Sequence, residues 1–410
     1  MPAGTRQTSP PNVQDRQYAA RVGLFFAAIF VFYGAQLPYL PVWLDWRGLS
    51  SQQIGIVTAA PLMVRLVATP LVAFLADRTG EHRRILILLA WLGCLALLLL
   101  SQSRGFWALL ALSALAGVCL STVMPLTETV AMAGVRRAGL DYGRMRLWGS
   151  LTFVAASFAG GAAVDHWGAA AGIWAVLTGA ALTVAAAHLL PMQPSRRDTA
   201  GTTPPRRLRI HDVGQLLRTP AMIAFLVAAG AVQSAHAVLY TFGTLHWRGQ
   251  GISTAMIGTM WAIGVGAEIV LFLYSGAVVR RMGPVLLLNV GAAAAVLRWL
   301  VMAFDPPLAV LVPLSVLHGA TYGAAHLGAI HFIARAVPEE QAGTAQALYA
   351  TITAGIGMGG AMLVSGQVYD TWGGRTYLLM VALASLALVA GLMLHRLWHG
   401  GELASKTVNS

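Results

Sequence analysis

The chain carries long apolar runs, each close to the roughly 20 residues a helix needs to cross ~30 Å of hydrocarbon. Twelve can be read, in two groups of six: 22–44, 54–75, 85–100, 106–132, 147–164 and 169–190, then 221–245, 257–279, 285–304, 308–333, 345–368 and 377–397. With 57% hydrophobic and only 10% charged residues, the chain reads as an all-α membrane protein.

A net charge of +12 raises the question of nucleic acid, and the placement of the arginines answers it. The termini and the loops after segments 2, 4, 6, 8 and 10 hold 21 basic residues, Arg144 and Arg146 among them. The opposite loops hold four: Arg47, Arg104, Arg248 and Arg375. By the positive-inside rule both termini lie in the cytoplasm, the lipid bilayer is the partner, and nucleic acid is not. The polar first 20 residues lack the apolar core and cleavage pattern of a signal peptide, so segment 1 is expected to stay attached. Cys94 and Cys119 fall inside segments 3 and 4 and imply no disulfide framework.

The two groups repeat. "DWRGLSSQQIG" after segment 1 returns as "HWRGQGISTAMIG" after segment 7, with Trp46 and Trp247 201 apart and Gly55 and Gly258 203 apart. "VDHWG" after segment 5 returns as "YDTWG" after segment 11, 205 apart. Such repeats in a transporter place the site between the halves. The expected organisation is an N-terminal half, 1–191, a cytoplasmic linker rich in Pro, Thr and Arg, 192–218, and a C-terminal half, 219–410. The linker reads as a solvated tether rather than a lipid headgroup site.

Ionisable side chains inside the apolar runs are costly and mark function. Glu128 lies in segment 4, Arg65 in the middle of segment 2, Glu268 in segment 8 and Arg298 in segment 9. Gln233, His236 and Tyr240 recur at helical spacing on segment 7, as His318, Tyr322 and His326 do on segment 10. Each set forms a polar stripe. His331 falls elsewhere around segment 10. The histidines have no acid or Cys at ligand spacing, so neither a metal nor a cofactor is expected. "GIGMGG", 355–360, sits inside segment 11 with no preceding strand and reads as close helix packing, not nucleotide binding.

After segment 2 comes "AFLADRTGEHRR", 73–84. Asp77 stands near a helix end, Gly80 permits a tight turn, and Arg78, Arg83 and Arg84 can pair with Asp77 or with the next helix end, making a charged clasp. Together with the twelve segments and the basic central loop, this stretch resembles the signature Asp-Arg-x-Gly-x-x-Arg-Arg of the major facilitator superfamily. Ala73 stands where glycine is usual, and Arg280, Arg281 and Gly283 form a second copy without the acid.

"PLTETVAMAGVRRAGLDYGRMRLWGS", 125–150, narrows the resemblance to lactose-permease-like proton symporters. Bacterial 3-phenylpropionate permeases look nearest, on "YGRMRLWGS", "QSAHAVLYTFGTLHW" and "LHGATYGAAHLGAIHFIARAVPE". The resemblance implies two pseudo-symmetric six-helix bundles acting as a monomer in the bacterial inner membrane, with Glu128 and Arg146 facing each other to hold substrate. Arg144 and Arg146 lie about 200° apart around a helix, so only one can do so. The resemblance also puts Arg298 and His318 on coupling positions. Thr321, however, stands where the family has its proton-carrying acid, so the proton falls to Glu268 or Glu128, beside His318.

The expected function is proton symport of a small organic solute. Arg65, Arg146 and Arg298, with Trp148, Tyr240 and Tyr322, favour an aromatic carboxylate. A disaccharide symporter, with Trp148 as stacking partner, and a drug efflux antiporter are the alternatives. An integral-membrane enzyme using Glu128, His236 and His318 is disfavoured by the duplication and the clasp.

Overall fold

The computed structural model describes residues 13–191, 214 and 216–403. Hydrocarbon offers backbone groups no hydrogen bonds, so each segment closes its own as helix. The first six helices are α1 (Val13–Trp46), α2 (Ser51–Thr79), α3 (His82–Gln102), α4 (Phe106–Ala138), α5 (Tyr142–Trp167) and α6 (Ala171–Leu189). The second six are α7 (Pro220–Gly249), α8 (Thr254–Leu273), α9 (Ser275–Met302), α10 (Leu308–Ala336), α11 (339–372) and α12 (Tyr377–Leu397).

Eleven helical runs among the described residues are long and apolar enough to cross a membrane, the last being 57 residues long. At 1.5 Å per residue that run would extend about 86 Å, nearly three hydrocarbon thicknesses. It is two crossings. The chain turns at Gly373, whose φ of 52° a side chain would oppose, and passes through one 3₁₀ turn into α12. Twelve crossings result.

Caps explain why helices outrun their apolar cores. Asp141 accepts a hydrogen bond from the Arg144 amide at 3.1 Å and starts α5 at Tyr142, where the hydropathy pattern placed the start at 147. Arg144 and Arg146 are therefore helical, not loop residues. α2 begins with a capping box between Ser50 and Gln53.

Packing follows the duplication. α1 lies against α5 and α6, α4 against α2 and α3, and α3 against α6. Adding six to each number gives the contacts of the second half, α7 with α11 and α12, α10 with α8 and α9, and α9 with α12. Between the halves α5 meets α8 and α2 meets α11, a pair that the same operation exchanges. The outward faces are apolar: α3 exposes Leu88, Leu92, Leu95 and Leu99 and buries Leu86, Leu89, Ala90 and Leu97. That stripe faces lipid.

The linker expected at 192–218 lies outside the described residues except for 214 and 216–218. Of these, Leu216 is buried and Gly214, Leu217 and Arg218 are exposed.

Candidate functional site

A cavity of about 800 Å³ lies between the halves. Helices of both halves line it, with Phe30, Tyr33, Arg65 and Arg146 on one side and Tyr240, Trp261, Glu268, His318 and Tyr322 on the other.

On the first-half wall, the Arg146 guanidinium lies 3.8 Å from the Phe30 ring centroid and 5.7 Å from that of Phe26, a cation–π arrangement. Its Nη1 is a buried donor with no acceptor among the described residues. Arg144 points away and pairs with Asp141 at 3.4 Å. Arg65 reaches across to α11 and donates from Nη2 to the Ala354 carbonyl at 3.3 Å.

Two residues expected at the site in this half stand apart from the cavity lining. Glu128 does not line the cavity. It lies one turn beyond the lining residues Met124 and Pro125, within the electrostatic reach of Arg146 and Tyr142. No ion pair joins Glu128 to Arg146 among the described residues; Arg146 meets an aromatic face instead. Trp148 is 58% exposed and outside the cavity. Its position two residues from Arg146 turns it to the far side of α5, where it approaches Gly23 of α1.

The second-half wall is a ladder of rings. His318 stacks on Tyr322, centroids 5.3 Å apart at 13°, and Tyr322 on His326, 6.1 Å at 20°. Tyr240 stacks on Trp261 at 5.7 Å. Behind this layer, Thr321 joins three helices: its Oγ1 is 3.1 Å from His236 Nε2 and accepts from Arg298 Nη1 at 3.2 Å. Arg298 Nη1 also donates to His318 Nδ1 at 3.3 Å, which leaves Nε2 of His318 facing Glu268 Oε2 at 3.9 Å. The polar stripes thus divide by depth. Tyr240, His318 and Tyr322 reach the cavity. Gln233 and His236 are buried behind it, and His326 turns to the Tyr349 hydroxyl at 3.1 Å.

Sequence reasoning passed over Thr321 as a bridge and Phe30, Tyr33 and Trp261 as wall. A hydroxyl three residues from His318 was the available signal for the first. Backbone geometry contributes to this wall. Three π-helical stretches, Leu239–Gly243, Gly319–Ala324 and Thr351–Gly357, interrupt α7, α10 and α11, and among the described residues all fall in the second half. Such i→i+5 turns are rare and gather at functional sites. They carry Tyr240, Thr321, Tyr322 and the carbonyl that Arg65 meets.

The face away from the chain termini is sealed. On the α5–α8 side Asp165 accepts the Thr254 and Ala255 amides at 2.7 and 2.8 Å, at the N-terminus of α8. Tyr39 donates to the Ser157 carbonyl beside Gly161 and Gly258. On the α2–α11 side, the Ser51 hydroxyl donates to Asp370 at the start of α2, and Gly55 packs on Gly366. The repeated "VDHWG" and "YDTWG" supply the two aspartates.

In the clasp, Gly80 caps α2 with left-handed geometry, Arg83 donates to the His188 carbonyl at the end of α6 at 2.6 Å, and Arg84 pairs with Glu81 at 2.5 Å. Arg78 is exposed, and the Asp77 side chain lies outside the described residues. In "GIGMGG", Gly355 abuts Leu66, Gly357 abuts Ser234 and Gly359 abuts Met63, the close approach expected there. Among the described residues no three His, Cys, Asp or Glu side chains are grouped to hold a metal ion.

Comparison with known proteins gives a concordant result. The model of the MFS_1 like family matches residues 20–380. The "Probable 3-phenylpropionic acid transporter" of Escherichia coli (strain K12) is 29% identical over 371 residues, covering 88% of this chain and 94% of that protein. The maltose permease of Geobacillus stearothermophilus is 30% identical over 358 residues, covering 85% and 87%. Among solved structures, a variant of the nucleoside transporter NupG superposes with a TM-score of 0.80 at 17% identity, over 93% of this chain and 100% of that one. That last likeness concerns the fold alone.

Proposed function

The chain belongs to the MFS_1 like family, and from that premise we propose that this multi-pass membrane transporter carries an aromatic carboxylate together with a proton. It works as a single chain in a bacterial cell membrane, both termini in the cytoplasm, because its own two halves supply both walls of the site. The arginine asymmetry supports that orientation. In this reading the closed face opposite the termini is the outer one.

The observation that carries the reading is the Arg146 guanidinium on the cavity wall, with a buried Nη1 that has no acceptor among the described residues, amid Phe30, Tyr33, Tyr240, Trp261 and Tyr322. A planar carboxylate matches its fork, and the rings match an aromatic body. Glu268 is the proton carrier in this reading, since it lines the cavity next to His318. The substrate and Glu268 carboxylates compete for the field of Arg146, so an arriving anion favours a proton on Glu268. That competition couples the two. Arg65, whose bond to Ala354 spans α2 and α11, is the second cation available to the substrate.

A disaccharide is the second reading, favoured by the similarity to a maltose permease and by the stacked Tyr240–Trp261 platform. The test is the external pH of de-energised cells making the protein as 3-phenylpropionate, benzoate-like acids and disaccharides are added, with Glu268→Gln cells alongside. Alkalinisation by aromatic acids alone, lost in Glu268→Gln, is the expected result. Alkalinisation by a disaccharide transfers the site to sugar, and no response to any solute removes proton-coupled import.

A further inference from the structure

Arg298 is 3% exposed near the C-terminal end of α9, and its guanidinium has neutral company. Nη1 meets His318 and Thr321, and the ring of Trp299 lies 4.7 Å from the guanidinium carbon. Among the described residues no carboxylate forms an ion pair with it; Glu268 stops at the far nitrogen of His318. A buried guanidinium without a counter-charge is costly, and breaking such pairs in proteins is strongly destabilising.

Behind the main cavity lies a second, of about 20 Å³, lined by Arg298 and Trp261. The Nε of Arg298 and the Nε1 of Trp261 are both buried donors with no acceptor among the described residues. Leu239, Met260 and Val265 make other parts of the wall apolar, and Ser315 there already donates its hydroxyl hydrogen to the Leu311 carbonyl at 2.9 Å. The space suits one small occupant, a water molecule or a monatomic ion. Two N–H donors and an unbalanced positive charge select an acceptor that needs no donor in return. Water accepts both bonds but leaves the charge unbalanced. A halide does both.

We propose that this cavity binds a monatomic inorganic anion, chloride under cellular conditions, held by Arg298 and Trp261 as the resident counter-ion of Arg298. The site is distinct from the one proposed for the organic substrate, although Trp261 and His318 line both cavities, and it is independent of the substrate's identity. It makes a second prediction from the same geometry: a carboxylate at 321, beside Arg298 Nη1, replaces the anion with an internal charge.

The test uses purified full-length protein in detergent, freed of chloride and without organic solute. Its Tm is followed as chloride replaces gluconate at fixed ionic strength. A saturable rise with chloride and with bromide is expected. Trp261→Phe, which keeps a ring but removes one donor, should move the midpoint to about fivefold higher chloride. Thr321→Glu should show a flat response. Identical curves in chloride and gluconate overturn the proposal and assign the cavity to water. So does a Trp261→Phe midpoint equal to that of the unsubstituted protein, which keeps the question decidable if Thr321→Glu does not fold.

Discussion

At the scale of single residues, the side chains that declared themselves were ionisable groups inside apolar runs. Arg65 and Glu268 line the cavity, and Arg298 lies just behind it. Arg144 and Arg146 are two residues apart, yet one is 88% exposed and the other lies against Phe30. Arg146→Lys keeps the charge but loses the fork and the planar contact. It should raise the KM for the proposed carboxylate substrate by about tenfold or more, while Arg144→Lys leaves it unchanged, as read from initial rates of labelled uptake. Thr321 was harder to see, because a lone hydroxyl is unremarkable in a membrane helix and its partners come from α7 and α9. Thr321→Val removes the acceptor of one buried donor and the partner of His236, a loss of about 1–3 kcal/mol that should appear as a Tm lowered by several degrees.

At the scale of elements, glycine and the π-turns decide how closely helices approach. A Cβ on Gly319 would meet the backbone of Ala267 at 3.0 Å, so α10 lies on α8 through bare backbone, next to His318 and Tyr322. A Cβ on Gly258 would run into the Ser157 carbonyl, which a rotamer change cannot relieve. Gly258→Val should therefore hold α5 and α8 apart at the sealed face. A cysteine at 254, a position 1% exposed against Gly161 at that face and in a background lacking Cys94 and Cys119, should then react several times faster with an impermeant maleimide; an unchanged rate would show that the closure tolerates the added bulk. The sequence marked Gly258 through its repeat with Gly55. It could not mark the π-turns, which arise from helix packing and carry no recognised residue pattern.

At the scale of the molecule, the duplication puts an aspartate at the end of α5 and another at the end of α11, each set on the N-terminus of a helix in the other half. A carboxylate on a helix N-terminus contributes roughly 0.3–2 kcal/mol. Two such latches hold the closed face weakly enough to release in a transport cycle. Asp165→Asn should shift the equilibrium toward opening of that face by about two- to tenfold, and the pair Asp165→Asn with Asp370→Asn further. Spin-label distances between the ends of α5 and α8 measure this: a longer-distance population should grow in the single variant and again in the double.

Hydropathy determined the number of crossings and the residues too polar to be idle in lipid, and repeated loop motifs determined the duplication. Each is a local property, because every crossing must satisfy its own backbone over about 20 residues. Tertiary structure decided which way each side chain faces. Lipid and protein interior are equally apolar, so the 3.6-residue pattern that orients a helix in water is blunted in a membrane. Trp148 outside the cavity, Glu128 one turn beyond it and Thr321 between His236 and Arg298 are positions that only the packing of neighbouring helices could set.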